Sequence, residues 1–210
     1  MGVKWSIIPA KTALIVHDMV NEMVDEKGLF FDPSVKKVQQ NIIKLIGECR
    51  EKNVTIVYAV PGQKSAEDFG RIGDFYPELI SHNTMTAGSW GASVHASISP
   101  TKGDVIIRKN RIGAFYGSNL HRILKRRGID TVIVSGVSTS VGCDTTARDA
   151  TNRDYKTIFV SDGCLSRPLA DQGWGNITGE DVARVHLSSL AKAFAMVVTT
   201  QQVADLIRRS

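Results

Sequence analysis

The chain alternates short, β-branched apolar runs with stretches whose apolar positions recur at helical spacing. Thr12 to Val16 reads as a buried first strand that runs straight into the polar pair His17-Asp18. Asp32-Pro33-Ser34 then opens a helix whose apolar positions Val35, Val38, Ile42, Leu45, Ile46 and Cys49 form one stripe. Val54 to Val60 is a second strand, halted by Pro61-Gly62. Asp104 to Arg108, Thr131 to Ser135, Thr157 to Ser161 and Met196 to Val198 supply four more. Between them, Ser118 caps a helix that runs to Arg127 and stops at Gly128, and Val141 to Asn152 forms another. Thr178 starts a third, with Glu180 and Asp181 in its first turn, and Thr200 caps the last.

Strands alternating with helices predict an α/β protein: a six-stranded, mostly parallel sheet covered on both faces, a three-layer α/β/α sandwich. A length of 210 residues suits one such domain over the whole of 1–210. Sheets of this kind take ligands at the carboxyl ends of their strands. Asp18 ends the first strand, Lys109 the third and Asp162 the fifth, while the turn Gly136 to Cys143 follows the fourth. The polar residues that interrupt buried strands therefore share one edge. Residues 61–103 lack clear periodicity and carry Phe69, Phe75, Tyr76 and Trp90. A stretch this long serves as a lid or substrate loop, or packs against a partner.

Composition narrows the function. Hydrophobic residues make up 42% and charged residues 22%, the balance of a globular chain. The net charge is +5 and the pI near 9.2, but the densest basic cluster, Lys125-Arg126-Arg127, closes a helix where cations suit the dipole. Basic residues are not interleaved with aromatics, which argues against nucleic acid; the charge either attracts a small anionic substrate or has no role in binding. No apolar run approaches the ~18 residues of a membrane span. Met1 to Pro9 has one lysine and no sustained apolar stretch, so a cytosolic protein is expected. Three widely spaced cysteines (Cys49, Cys143 and Cys164) form neither a disulfide framework nor a CxxC pair, and the five histidines have no ligand spacing. No metal and no cofactor are expected.

Gly136-Val137-Ser138-Thr139-Ser140-Val141-Gly142-Cys143 joins a strand to a helix, where backbone N–H groups and the helix dipole favour negative charge. Such amides can serve as an oxyanion hole. A cysteine in the first turn near a lysine is a candidate nucleophile, and Asp18 a candidate base and acid. Taken singly, each has a packing explanation: Asp18 as a cap, Lys109 as a solvated strand end, Cys143 and His17 as core. Their convergence on one edge is what points to catalysis.

These residues resemble the isochorismatase-like (cysteine hydrolase) superfamily over nearly the whole chain. Ala13-Leu14-Ile15-Val16-His17-Asp18-Met19 is similar to its aspartate strand. Lys109 with Gly113-Ala114-Phe115-Tyr116-Gly117-Ser118-Asn119-Leu120 resembles its lysine segment, and Gly136-Val137-Ser138-Thr139 with Thr146-Ala147-Arg148-Asp149-Ala150 its signature turn and helix. The resemblance implies a Rossmann-like fold, a cis peptide between Val137 and Ser138, and hydrolysis of a small amide or ureide by an Asp18–Lys109–Cys143 site. It also implies a homo-oligomer, dimer or tetramer. Val137, Ser138, Thr139, Gly142, Trp90 and Phe115 are the candidate substrate-binding residues, with Tyr116 as a further pocket aromatic.

One departure separates two mechanisms. Counted back from Thr146-Ala147-Arg148-Asp149, the family's nucleophilic cysteine falls at Gly142, and one residue on a helix turns a side chain by about 100°. The leading expectation keeps Cys143 as nucleophile through a local slip of the turn. The alternative is thiol-free hydrolysis of a vinyl ether or similar group with Asp18 as acid, as His17-Asp18-Met19, Trp5 and Ala195 to Thr200 suggest. A non-catalytic binding protein on the same fold is the third reading. Val20, Val60 and Ser138-Thr139-Ser140 differ from the residues expected to grip isochorismate itself.

Overall fold

The computed structural model describes residues 3–210. Its sheet holds six strands: β1 (Thr12–His17), β2 (Thr55–Pro61), β3 (Val105–Lys109), β4 (Thr131–Val137), β5 (Lys156–Leu165) and β6 (Met196–Val198). They lie in the order β3-β2-β1-β4-β5-β6, and every pairing is parallel. The helices are α1 (Asn21–Val24), α2 (Val35–Glu51), α3 (Ile72–Phe75), α4 (Pro77–Ser81), α5 (Leu120–Arg126), α6 (Asp144–Thr151), α7 (Gly179–Ala193) and α8 (Thr200–Arg208).

β1 is buried along its whole length because it sits mid-sheet with helices on both faces. Leu14 and Val16 point to one side, where they join Ile42, Leu45 and Ile46 of α2 and Val203 and Ile207 of α8. Ala13 and Ile15 point to the other, against Leu120 and Leu124 of α5. Farther along that second face, Val134 and Phe159 pack with Ala147 of α6 and Leu190 of α7. The period of two along each strand thus sorts the chain into three layers.

The strand order reverses direction between β1 and β4, and such a switch point opens a crevice at the carboxyl ends. Asp18 leaves β1 there with φ of +46°, a left-handed turn that aspartate tolerates, while its N–H still donates to Ala59 O at 3.0 Å. Gly136 holds φ of +128° beside it, with its α-carbon so close to the His17 backbone that a side chain would clash.

Several boundaries differ from the sequence expectation. β5 runs on past Ser161 to Leu165 because a register shift opposite Val134 and Gly136 lets it bend and continue. Asp162 therefore lies inside a strand. Its Oδ1 accepts from the Thr200 N–H at 2.6 Å and hydroxyl at 2.8 Å, binding the start of α8 rather than facing a ligand. The last helix is capped by Thr199, which forms a capping box with Gln202. Residues 139–143 form one π-helical turn ahead of α6.

Candidate active site

A cavity of about 280 Å³ opens at the switch point. Asp18, Lys109 and the turn residues Val137, Ser138, Ser140, Val141 and Gly142 line one side. Phe69, Ile72, Tyr76, Leu79 and Met85 from the segment 61–103 line another, so that segment packs over the site as a substrate loop would. Met23, Phe30, Gln63, Arg111, Arg167 and Leu169 are also in the wall.

Asp18 and Lys109 are brought together from the ends of β1 and β3. The Lys109 ammonium lies 2.9 Å from Asp18 Oδ2, and both side chains are more than nine-tenths buried. Lys109 Nζ also reaches the Arg111 carbonyl at 3.4 Å. Asp18 Oδ1, by contrast, is buried with no hydrogen-bond partner among the described residues. A buried carboxylate oxygen without a partner is uncommon in native proteins.

His17 completes the wall behind this pair. Its ring is fully buried, with Nδ1 3.1 Å from Val137 O and 3.3 Å from Asp18 Oδ2, and Nε2 3.0 Å from Ile112 O. The imidazole thereby ties together the ends of β1 and β4 and the lysine segment. Burial pushes it below its ordinary value, opposed chiefly by the Asp18 charge. It lies on the α-carbon of Gly142: a side chain there would bring its Cβ within 2.7 Å of Nδ1 and 2.9 Å of Nε2. The ring occupies the space a side chain at position 142 would need.

The Cys143 thiol does not join Asp18 and Lys109. It is fully buried on the opposite side of the turn, among Val134, Ala147, Phe159, Cys164 and Leu190, and is absent from the cavity wall. Desolvation, reinforced by Cys164, pushes it well above the ordinary thiol range. The expected slip of the turn is not present, and Gly142 keeps the cavity side. The peptide between Val137 and Ser138 is cis. The N–H groups of Val141 and Cys143 both turn back on Ser138 O, so those two amides close the turn instead of pointing at a ligand.

The other expected binding residues divide. Val137, Ser138 and Gly142 line the cavity; Thr139 is buried and outside its wall, its hydroxyl without a partner among the described residues. Phe115 lies in the core of the far face, its ring 5.9 Å from that of Tyr155, because the lysine segment folds down onto α6 through the Ala114 N–H to Thr146 Oγ1 bond of 3.0 Å. Trp90 is half-exposed outside the cavity, its carbonyl accepting from Asn21 Nδ2, and Tyr116 is exposed to solvent. Val20 and Val60 are core residues. Sequence reasoning missed Gln63, Arg111 and Arg167. Arg167 follows β5 by two residues, so the strand-end rule would have selected it had that strand been read to its true end.

The family model described as Isochorismatase domain matches residues 12–202. The chain belongs to the isochorismatase family, a family of hydrolases. This isochorismatase-family chain is 32% identical over 162 residues to the isochorismatase of Bacillus subtilis (strain 168), covering 76% of itself but 50% of that protein. It thus spans about half the length of that relative. Among solved structures it is similar to a cysteine hydrolase from Pseudomonas syringae pv. phaseolicola 1448A, at TM-score 0.95 and 32% identity, covering 100% of this chain and 98% of that one. It is also similar to N-carbamoylsarcosine amidase from Thermoplasma acidophilum, at TM-score 0.73 and 28% identity, covering 90% and 96%. Among the described residues no three His, Cys, Asp or Glu side chains gather as a metal site, and no helix is long and apolar enough to cross a membrane.

Proposed function

We propose that this protein hydrolyses a small molecule without a thiol nucleophile, with Asp18 moving the proton and water supplying the oxygen. The observation that carries the reading is the His17 ring seated on Gly142, with the Cys143 thiol turned into the core. Lys109 and His17 hold Asp18 Oδ2, which leaves Oδ1 as the oxygen directed to chemistry.

A vinyl ether suits such a site. The Asp18 carboxylate takes up a proton at Oδ1 and delivers it to the terminal vinyl carbon, the double-bond electrons forming the new C–H bond. Water adds to the resulting oxocarbenium carbon and returns a proton to the Asp18 carboxylate. The hemiketal then breaks its C–O bond to give a ketone and an alcohol. General acid–base catalysis of this kind contributes roughly 10²- to 10⁴-fold, and the Asp18 carboxylate left by the proton transfer stabilises the neighbouring oxocarbenium carbon.

The amide or ureide reading through Cys143 is not favoured, because no thiol reaches the cavity. Family likeness supports a further part of the reading, a dimer or tetramer of like chains. A panel of enol ethers and amides assayed in D₂O tests the reaction class. Deuterium is expected in the methyl group of the ketone product. Ammonia release from an amide, with no enol-ether turnover, contradicts the proposal.

A further inference from the structure

The wall of the Asp18 cavity carries four charged side chains: Asp18, Lys109, Arg111 and Arg167. Three cations face one carboxylate, so the potential inside favours an anion. Lys109 is engaged by Asp18, and Arg111 Nη1 is engaged by the carbonyls of Asp68 and Asn110. Arg167 is not engaged in the same way. An arginine has five N–H donors in a planar fork. Of these, Arg167 uses Nη2 to donate to Phe30 O, while its buried Nε has no partner among the described residues. None of the arginine ion pairs among the described residues includes it. Asp32, the carboxylate that influences it most, accepts instead from the Ser34 N–H and hydroxyl.

A partly buried guanidinium whose Nε is sealed from solvent without a partner among the described residues, set in a wall that also holds Met23, Phe30 and Met85, lacks its natural complement. That complement is a planar oxyanion taken by the fork. We propose that Arg167 binds a carboxylate of the substrate, so that the ligand of the Asp18 cavity is a small carboxylic acid with an apolar body. This inference rests on the hydrolase reading and adds the substrate class. Arg167 is a binding residue here and takes no part in the proton transfer.

Equilibrium binding tests it independently of turnover, with benzoate as the anionic probe and acetophenone as a neutral probe of similar size. In the unmodified protein benzoate is expected to bind at least about tenfold more tightly than acetophenone. Arg167→Gln is expected to erase that preference while leaving acetophenone binding unchanged, and Arg167→Lys to restore part of it. Asp18→Asn is expected to keep the preference, since it removes the acid and not the anchor. Equal binding of the two probes by the unmodified protein, or undiminished benzoate binding by a folded Arg167→Gln, overturns the assignment. If that variant does not fold, Arg167→Lys takes its place: a reduced preference for benzoate is expected, and an undiminished one overturns the assignment. Loss of the hydrolase reading has a different signature: benzoate preference intact, and turnover indifferent to Asp18→Asn.

Discussion

The His17 imidazole rests on the α-carbon of Gly142, with both ring nitrogens inside 3.0 Å of where a β-carbon would stand. The two positions are far apart in sequence and define one volume. Either a ring enters it from β1 or a side chain enters it from the turn after β4. The ring is present here, and with it the cavity loses the place for a nucleophile while Asp18 gains a neighbour at Oδ2.

A side chain at 142 should therefore be costly and conditional. Gly142→Ala is expected to destabilise by about 1–3 kcal/mol through overpacking. In a His17→Val background most of that cost should vanish, a coupling readable from urea melts of the two single variants and the double. Additive costs would show that the ring is not what excludes the side chain.

Lys109→Met should leave the buried Asp18 carboxylate without its cation. Breaking such a pair costs about 3–5 kcal/mol, and adding Asp18→Asn should recover part of it. Urea unfolding at neutral pH measures both.

The three cysteines should be silent in the native state. All are buried, Cys49 is pushed up to about 12 by burial, and Cys143 is pushed far up as well. An aromatic disulfide reagent at pH 8 is expected to find no thiol before denaturant is added and all three after. Rapid native reaction of one thiol would contradict the placement of that residue.

The pH dependence of stability tests the state of His17. Its folded value is depressed by burial, so below about pH 6.5, the ordinary histidine value, the unfolded chain binds a proton that the folded chain does not. The contribution is neutral above that pH. It becomes destabilising as the pH falls, by at most about 1.4 kcal/mol per unit, and levels off below the folded value. Denaturation at pH 7.5 and 5.5 should show the loss, and it should shrink in His17→Gln. A gain at pH 5.5 would mean an imidazolium held between Val137 O, Ile112 O and Asp18.

The fold was legible because strand and helix periods are distinct along most of the chain, and the strand-end rule selected Asp18 and Lys109 correctly as neighbours. The rule failed where local signals imitate a terminus. Asp162-Gly163 reads as the end of the fifth strand, but a bulge carries that strand to Leu165 and hides Arg167 from the same rule. Cys143 looked like a nucleophile by type and position. Its direction depends on the phase of one π-helical turn, and that phase is set by the His17 ring packed against residue 142. Phe115 and Trp90 looked like pocket aromatics, but whether an aromatic faces a cavity or the core depends on how its loop folds back, as the Ala114–Thr146 bond shows.

The most direct test sets Asp18→Asn beside Cys143→Ala, both assayed as folded proteins for turnover of an enol-ether carboxylate. The account predicts that Asp18→Asn loses roughly 10²- to 10⁴-fold in rate while Cys143→Ala keeps its rate. Loss of activity in folded Cys143→Ala, with Asp18→Asn unaffected, would contradict it.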